Sequence, residues 1–326
     1  MKMRILKKQP ERDFRILNLT DPQLADAEWA PDQKAGKLLE YTVKTLAERT
    51  KPNLITVSGD LAWAENYESY RRFAGLLDSL DVPWAPVFGN HDQEGTQPLE
   101  KTAEILCAGG KCLLERGDPA LGYGNYVIGI EQNGKLIHGL ILMDSHSYRE
   151  HIGEDGKPYD AWSDVRPEQF PWYREQAESL ARAGAKETTL ILHNPLYTYR
   201  EAAEAAFRPG IDRNAVSPFN GEQNDCFNEG YEDSFGVMYE GICSYPEDNG
   251  FFEIIKSCGS TKTILCGHDH VNSFAIPYQG VLLMYGLKTG SGCYWDPRLN
   301  GGTLLTVDTA GHLSARHIFV DSDIDF

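Results

Sequence analysis

Short apolar runs that stop abruptly in carboxylate, amide or imidazole side chains recur along this chain, and they limit what it can fold into. "FRILNLTD" ends at Asp21, "NLITVSGD" at Asp60 and "PWAPVFGNHD" at Asp92. "HGLILMDSH" ends at His146, "ETTLILHNP" turns polar at His193, and "KTILCGHDH" ends at His270. Each run has the length and aliphatic or β-branched content of a buried strand. Amphipathic patterns fall between them. Residues 32–49 place Leu38, Leu39, Val43 and Leu46 on one helical face; residues 67–80 do so with Phe73, Leu76, Leu77 and Leu80. A third pattern, 167–183, opens with Pro167 and Glu168, a favourable first turn. Strand alternating with helix predicts βαβ units and a mainly parallel sheet with helices outside.

Beyond residue 271 the pattern changes. "SFAIPYQGVLLMYG" and "GGTLLTVDTAGHLSARHIFV" predict antiparallel hairpins that close a second sheet. Residues 198–250 are rich in Asn, Gly, Glu, Tyr and Phe without a clear period. A loop of that length is usually functional, so it reads as a lid or substrate-side insertion.

A chain of 326 residues with 41% apolar and 24% charged residues is long enough for a large buried core. Its formal net charge of −17 disfavours nucleic acid and anionic lipid as partners. It does not keep phosphate esters from a cationic centre, where bound ions set the local field. The seven cysteines show no CxxC spacing. Most read as reduced and buried, with Cys107–Cys112 or Cys226–Cys243 as possible pairs in an oxidising compartment. No apolar run approaches a membrane span and the first residues lack a sustained apolar region, so the expected location is cytoplasmic.

In α/β sheets ligands bind at the carboxyl ends of the strands. Those ends carry Asp21 and Gln23, Asp60, Asn90 and His91, His193, and His268 and His270. This oxygen and nitrogen set suits Mn, Fe, Zn or Co, and no thiolate motif accompanies it. One by one, each residue is as easily a strand-end cap or a core histidine; the metal reading rests on the whole set.

The blocks "DPQ" at 21–23, "GD" at 59–60, "GNHD" at 89–92, "HNP" at 193–195 and "GHDH" at 267–270 resemble the calcineurin-like metallophosphoesterases. That family's pattern is D-x-H, G-D, G-N-H-[DE], a lone His, then G-H-x-H. The end of the chain and "PEQFPWY" resemble the branch near purple acid phosphatase 29 and the Dcr2 phosphatase. The resemblance implies a four-layer α/β/β/α sandwich of two mixed sheets with outer helices. It implies one domain over 1–326, with 198–250 inserted.

It also implies two divalent or mixed-valence ions (Mn, Fe, Zn, Co or Mg). Asp60 bridges both; Asp21, His270 and Gln23 hold the first; Asn90, His193 and His268 hold the second. His91, with Asp60 the catalytic candidate, stabilises the phosphoryl group or protonates the leaving alkoxide. Asp92 orients its neighbours. Asn90, His91, Tyr197 and Asn272 are the expected substrate contacts, and Arg200 and Tyr231 lie in the insertion beside them.

Two departures matter. Gln23 stands where most members have His, a weaker neutral donor that favours harder ions. Trp63 stands where purple acid phosphatases have the iron-binding Tyr, which disfavours a purple enzyme. The expected activity is hydrolysis of phosphate monoesters or diesters, with a small phosphoester as substrate. The alternatives are a phosphoprotein Ser/Thr phosphatase, hence a protein substrate, and a non-catalytic scaffold that lost a metal at Gln23. A nuclease is disfavoured by the charge.

Overall fold

The computed structural model describes residues 3–212, 216–219 and 226–325. A short strand, β1 (Arg4–Lys7), precedes β2 (Phe14–Leu19), α1 (Lys34–Thr50), β3 (Leu54–Ser58), α2 (Tyr67–Asp78) and β4 (Trp84–Val87). β2, β3 and β4 pair in parallel, as βαβ connections require. α1 buries the expected stripe of Leu38, Leu39, Val43 and Leu46. α2 buries Phe73, Leu76 and Leu77 but ends at Asp78, so Leu80 lies beyond it.

A single turn, α3 (Asn90–Gln93), and helix α4 (Leu99–Cys107) follow, then β5 (Tyr126–Gln132) and β6 (Lys135–Leu142). The two-residue turn between them is Asn133-Gly134, both left-handed at φ 53° and 77°. Hairpin turns of this length favour that dipeptide because both residues must take positive φ. β7 (Tyr148–Ile152) and β8 (Pro158–Trp162) form a separate two-stranded hairpin. The chain then runs through α5 (Phe170–Arg182), β9 (Glu187–Ile191), α6 (Thr198–Ala206), α7 (Phe251–Cys258) and β10 (Thr261–Cys266). It closes with β11 (Ala275–Tyr278), β12 (Val281–Tyr285), β13 (Gly301–Val307) and β14 (Leu313–Phe319).

The larger sheet has the order β1-β5-β6-β9-β10-β12-β11 and the smaller β14-β13-β2-β3-β4. Alternate residues of the larger sheet face opposite ways. Leu140, Leu142, Ile191 and Leu265 join the core shared with Ile16, Leu17, Ile55 and Val57 of the smaller sheet. Ile141, Leu190, Ile264 and Cys266 instead pack with Tyr173 and Ala177 of α5, Tyr199 of α6 and Phe251 of α7. On the far side, α1 lies on β2 and β13. The result is four layers, helix, sheet, sheet, helix.

Both sheets mix parallel and antiparallel pairs, as the resemblance implies. The structure corrects other expectations. The two C-terminal hairpins do not close one sheet together: β11–β12 extends the larger and β13–β14 the smaller. The loop expected from residue 198 begins only after Phe207, because 198–206 is α6, with Tyr199, Ala202, Ala203 and Ala206 buried at helical spacing. Residues 213–215 and 220–225 of that segment lie outside the described residues. Cys107 and Cys112 are thiols that hydrogen-bond to each other. No helix among the described residues is long and apolar enough to cross a membrane.

Candidate metal centre

The sandwich brings the carboxyl ends of β2, β3 and β4 against those of β9 and β10. The residues just past these strands bend into unusual backbone. Asp21, Gln23, Asp60 and His268 are left-handed at φ 53°, 43°, 50° and 79°. Such conformations cost of order 1–3 kcal/mol each and persist where surroundings over-determine them. One device is a close approach at Gly89: a Cβ there would come within 2.1 Å of Asp60 Oδ1 and 2.4 Å of its backbone nitrogen. Only glycine lets the loop after β4 reach Asp60.

The side chains converge. Ligand atoms of Asp21, Asp60 and His193 lie within 4.8 Å of one another. His193 Nε2 is 3.3 Å from Asp60 Oδ2 and 2.9 Å from Asn90 Oδ1. His268 Nδ1 also reaches Asn90 Oδ1 at 2.9 Å. His270 Nε2 is 3.5 Å from Asp21 Oδ1, with its Nδ1 fixed 2.7 Å from the Tyr294 carbonyl. The backbone N–H of His91 donates to Asp60 Oδ1 at 2.9 Å, and that of Gln23 to the Asp60 carbonyl at 3.1 Å. Six of the expected ligands are thus tied together by side-chain contacts, and Gln23 through its backbone.

Asp21 and Asp60 are each 1% exposed. Burial opposes their ionisation, yet His270 beside Asp21 and His193 beside Asp60 hold both carboxyls below the usual range. Burial likewise disfavours a charge on His193, but Asp60 outweighs it and pushes the pKa up to about 10. Burial and the neighbouring His193 charge push His268 down to about 3. A proton on His193 would therefore do part of what a cation does: it offsets one of the two buried carboxylate charges.

Orphaned polar atoms supply the test of fit. Both amide atoms of Gln23, His268 Nε2 and Asn90 Nδ2 are buried with no hydrogen-bond partner among the described residues. Unpaired buried groups of this kind are costly; a bound ion accounts for the two lone-pair atoms, Gln23 Oε1 and His268 Nε2, and the two amide N–H groups call for an acceptor beside it. Carboxylate, amide and imidazole together fit a divalent transition metal or a harder ion, and the residues present suit two of them.

The expected brace is present. Asp92 accepts from the backbone N–H of Gly89, Leu61 and Ala62 and from the Tyr70 hydroxyl. Burial, then the charge of Asp60, raises its pKa to about 7. Asp144 accepts from Gln93 Nε2 and from the N–H of Tyr123 and His146, which makes it a loop brace.

The chain matches the family model described as calcineurin-like phosphoesterase over residues 14–272. The chain belongs to the calcineurin-like phosphoesterases. Among its relatives are two Arabidopsis thaliana proteins named probable inactive purple acid phosphatase 14 and 29. They are 27% and 25% identical to it, over 83% and 88% of this chain and 66% and 75% of their own lengths. The fold is shared with a dimetal phosphatase from Danio rerio at TM-score 0.54 and 12% identity, covering 90% of this chain and 95% of that one.

Three features of the site escape the sequence motifs. Lys288, 2% exposed, donates from Nζ to the Asp21 carbonyl at 2.5 Å, and burial lowers its pKa to about 8. It follows β12 as the other polar residues follow their strands, so the same strand-end signal would have found it. Ser147 Oγ donates to the Asn90 carbonyl at 2.9 Å. Trp162, from the β7–β8 hairpin, meets the His268 ring edge-on at 4.7 Å. Asn272 is 1% exposed; its Oδ1 accepts from the Glu240 N–H, and its Nδ2 has no hydrogen-bond partner among the described residues. Tyr197 sits half-buried at the start of α6.

Proposed function

We propose that this phosphoesterase hydrolyses small phosphate esters at a two-metal centre. One observation carries the reading: two buried carboxylates surrounded by imidazoles, with buried amide and imidazole atoms left without partners. Asp21, Gln23, Asp60 and His270 would hold one ion, and Asp60, Asn90, His193 and His268 the other. Bound there, the ions neutralise phosphoryl charge and lower the pKa of water.

The chain's own residues do the rest. Asp60 is indexed to the proton donor, because its carboxylate accepts from the His91 backbone. His91 is half-buried, and its Nδ1 lies 2.8 Å from Glu94 Oε2, which leaves Nε2 to face a leaving group. In this reading that nitrogen protonates the departing alkoxide. Asp92 holds the loop that carries Asn90 and His91. The described part of the 198–250 insertion supports a substrate-side role: the Cys243 N–H donates to Asp269, and the Tyr245 hydroxyl meets His151 of β7.

Two relatives carry the word inactive in their names. The donor set here, with His91, favours turnover over a scaffold. The test adds Mn, Fe, Zn, Co or Mg to stripped protein and offers p-nitrophenyl phosphate beside bis-p-nitrophenyl phosphate. Hydrolysis of either, lost together with metal content in Asp60→Asn, is the expected result. Two bound ions with no hydrolysis of either ester sinks it in favour of the scaffold.

A further inference from the structure

The β7–β8 hairpin places aromatic rings beside the proton donor. Trp162 is edge-on to His268 at 4.7 Å between ring centres and 6.3 Å from His91. Tyr148 stacks on Trp162 at 4.8 Å and 30°. Trp63 meets the His91 ring at 4.5 Å. All four rings, His91 included, are half-buried and keep part of their surface open.

The hairpin is fixed in place. Ser147 ties its base to the Asn90 carbonyl, and the Ser163 N–H donates to the Ser147 carbonyl at 2.9 Å. Arg149 pairs with Asp164 at 3.1 Å and lies over the Tyr245 ring at 3.7 Å. Asn249 Nδ2 reaches Asp164 Oδ2 at 2.6 Å. Partly open aromatic rings held this firmly beside a reactive centre have a use beyond core packing.

Their position sets that use. Whatever oxygen His91 protonates carries the leaving group, which must then extend past the rings that flank His91. Those rings are indoles, with a phenol stacked behind one. Aromatic faces prefer offset-stacked or edge-to-face partners, a gain beyond simple area burial. A flat aromatic group gains most here, whereas a short polyol cannot stack on these rings.

We propose that Trp162, with Tyr148 and Trp63, forms the leaving-group wall of this site and selects phosphate monoesters of flat aromatic alcohols. This rests on the phosphoesterase reading above and narrows its substrate class. Trp162 and Tyr148 act in binding and take no part in proton transfer.

The test compares phenyl phosphate with glycerol phosphate on metal-loaded protein. In Trp162→Ala the phenyl-to-glycerol ratio of kcat/KM falls roughly tenfold, chiefly through KM, and Trp162→Phe restores most of it. Calorimetry with phenylphosphonate and methylphosphonate, which are not turned over, reads the same selectivity as affinity. A ratio and a phosphonate selectivity both unchanged in Trp162→Ala overturn the wall. Turnover of neither ester by the wild type overturns the monoester part of the phosphoesterase reading, and the phosphonate selectivity then still decides the wall.

Discussion

Gln23 is fully buried, yet neither amide atom has a partner among the described residues. An unpaired buried polar group costs about 1–3 kcal/mol, and coordination of an ion by Oε1 removes the oxygen's part of that cost. The sign of a substitution should therefore depend on metal. Gln23→Met keeps the shape and deletes the polar atoms. It is expected to stabilise metal-free protein by about 1–3 kcal/mol and to reduce the stabilisation that added metal gives. Thermal melts of both proteins with and without Mn check this; a change of one sign in both conditions means that Gln23 does not reach the ion. His91 gives a second residue-scale prediction. His91→Ala should keep metal content and lose roughly 10²–10⁴-fold in kcat. The loss should be smaller for p-nitrophenyl phosphate than for an alkyl phosphate, because a good leaving group needs less help from a proton. Equal losses on both esters remove His91 as the donor.

Two glycines show how elements, not only residues, shape the site. A Cβ on Gly134 meets nothing, but its φ of 77° is left-handed. Gly134→Ala should then cost about 1–2 kcal/mol of stability and leave metal affinity alone. Gly89→Ala collides with Asp60 and should instead abolish binding of at least one ion. Calorimetric metal titration beside a melt separates the two cases, and intact metal binding in Gly89→Ala would remove the close-approach argument. The strand ends at Asp21, Asp60, His193 and His268 were readable in the sequence, since an apolar run and its polar stop are local signals. β1 was not, because its pattern is mostly exposed and it is defined only by pairing with β5. The β7–β8 hairpin was not either: its residues are largely exposed and carry no alternation. Trp162 thus reaches His268 through a contact that no local pattern encodes. Helix α6 was hidden by lying at the start of a segment whose later described residues, up to 250, form isolated bridges and no extended strand.

The two sheets are joined by buried histidines as well as by the apolar core, and this gives the whole molecule a pH response. His317 of β14 is 2% exposed, with Nδ1 3.0 Å from Thr303 Oγ1 and Nε2 2.7 Å from the Ser273 carbonyl near β11. His138 of β6 spans the sheets in the other direction, reaching the Gly311 carbonyl in the β13–β14 turn. Burial lowers both pKa values, that of His317 from 6.5 to about 4. The unfolded chain therefore binds a proton that the native form refuses. Stability from His317 is fully present above about pH 6.5, falls as pH drops towards 4, and levels off below that. The full difference is on the order of 3 kcal/mol. Buried Asp164, with a pKa raised to about 6 chiefly by burial, acts in the opposite sense, so wild type alone does not isolate the effect. His317→Gln removes the titrating group and leaves Asp164 in place. Urea unfolding of both proteins at pH 7.5 and pH 4.5 should show the variant weaker at pH 7.5, with most of that deficit gone at pH 4.5. A deficit of the same size at both pH values would mean that native His317 takes up its proton at the same pH as in the unfolded chain. Its hydrogen bonds would then join the sheets without making their junction sensitive to acid.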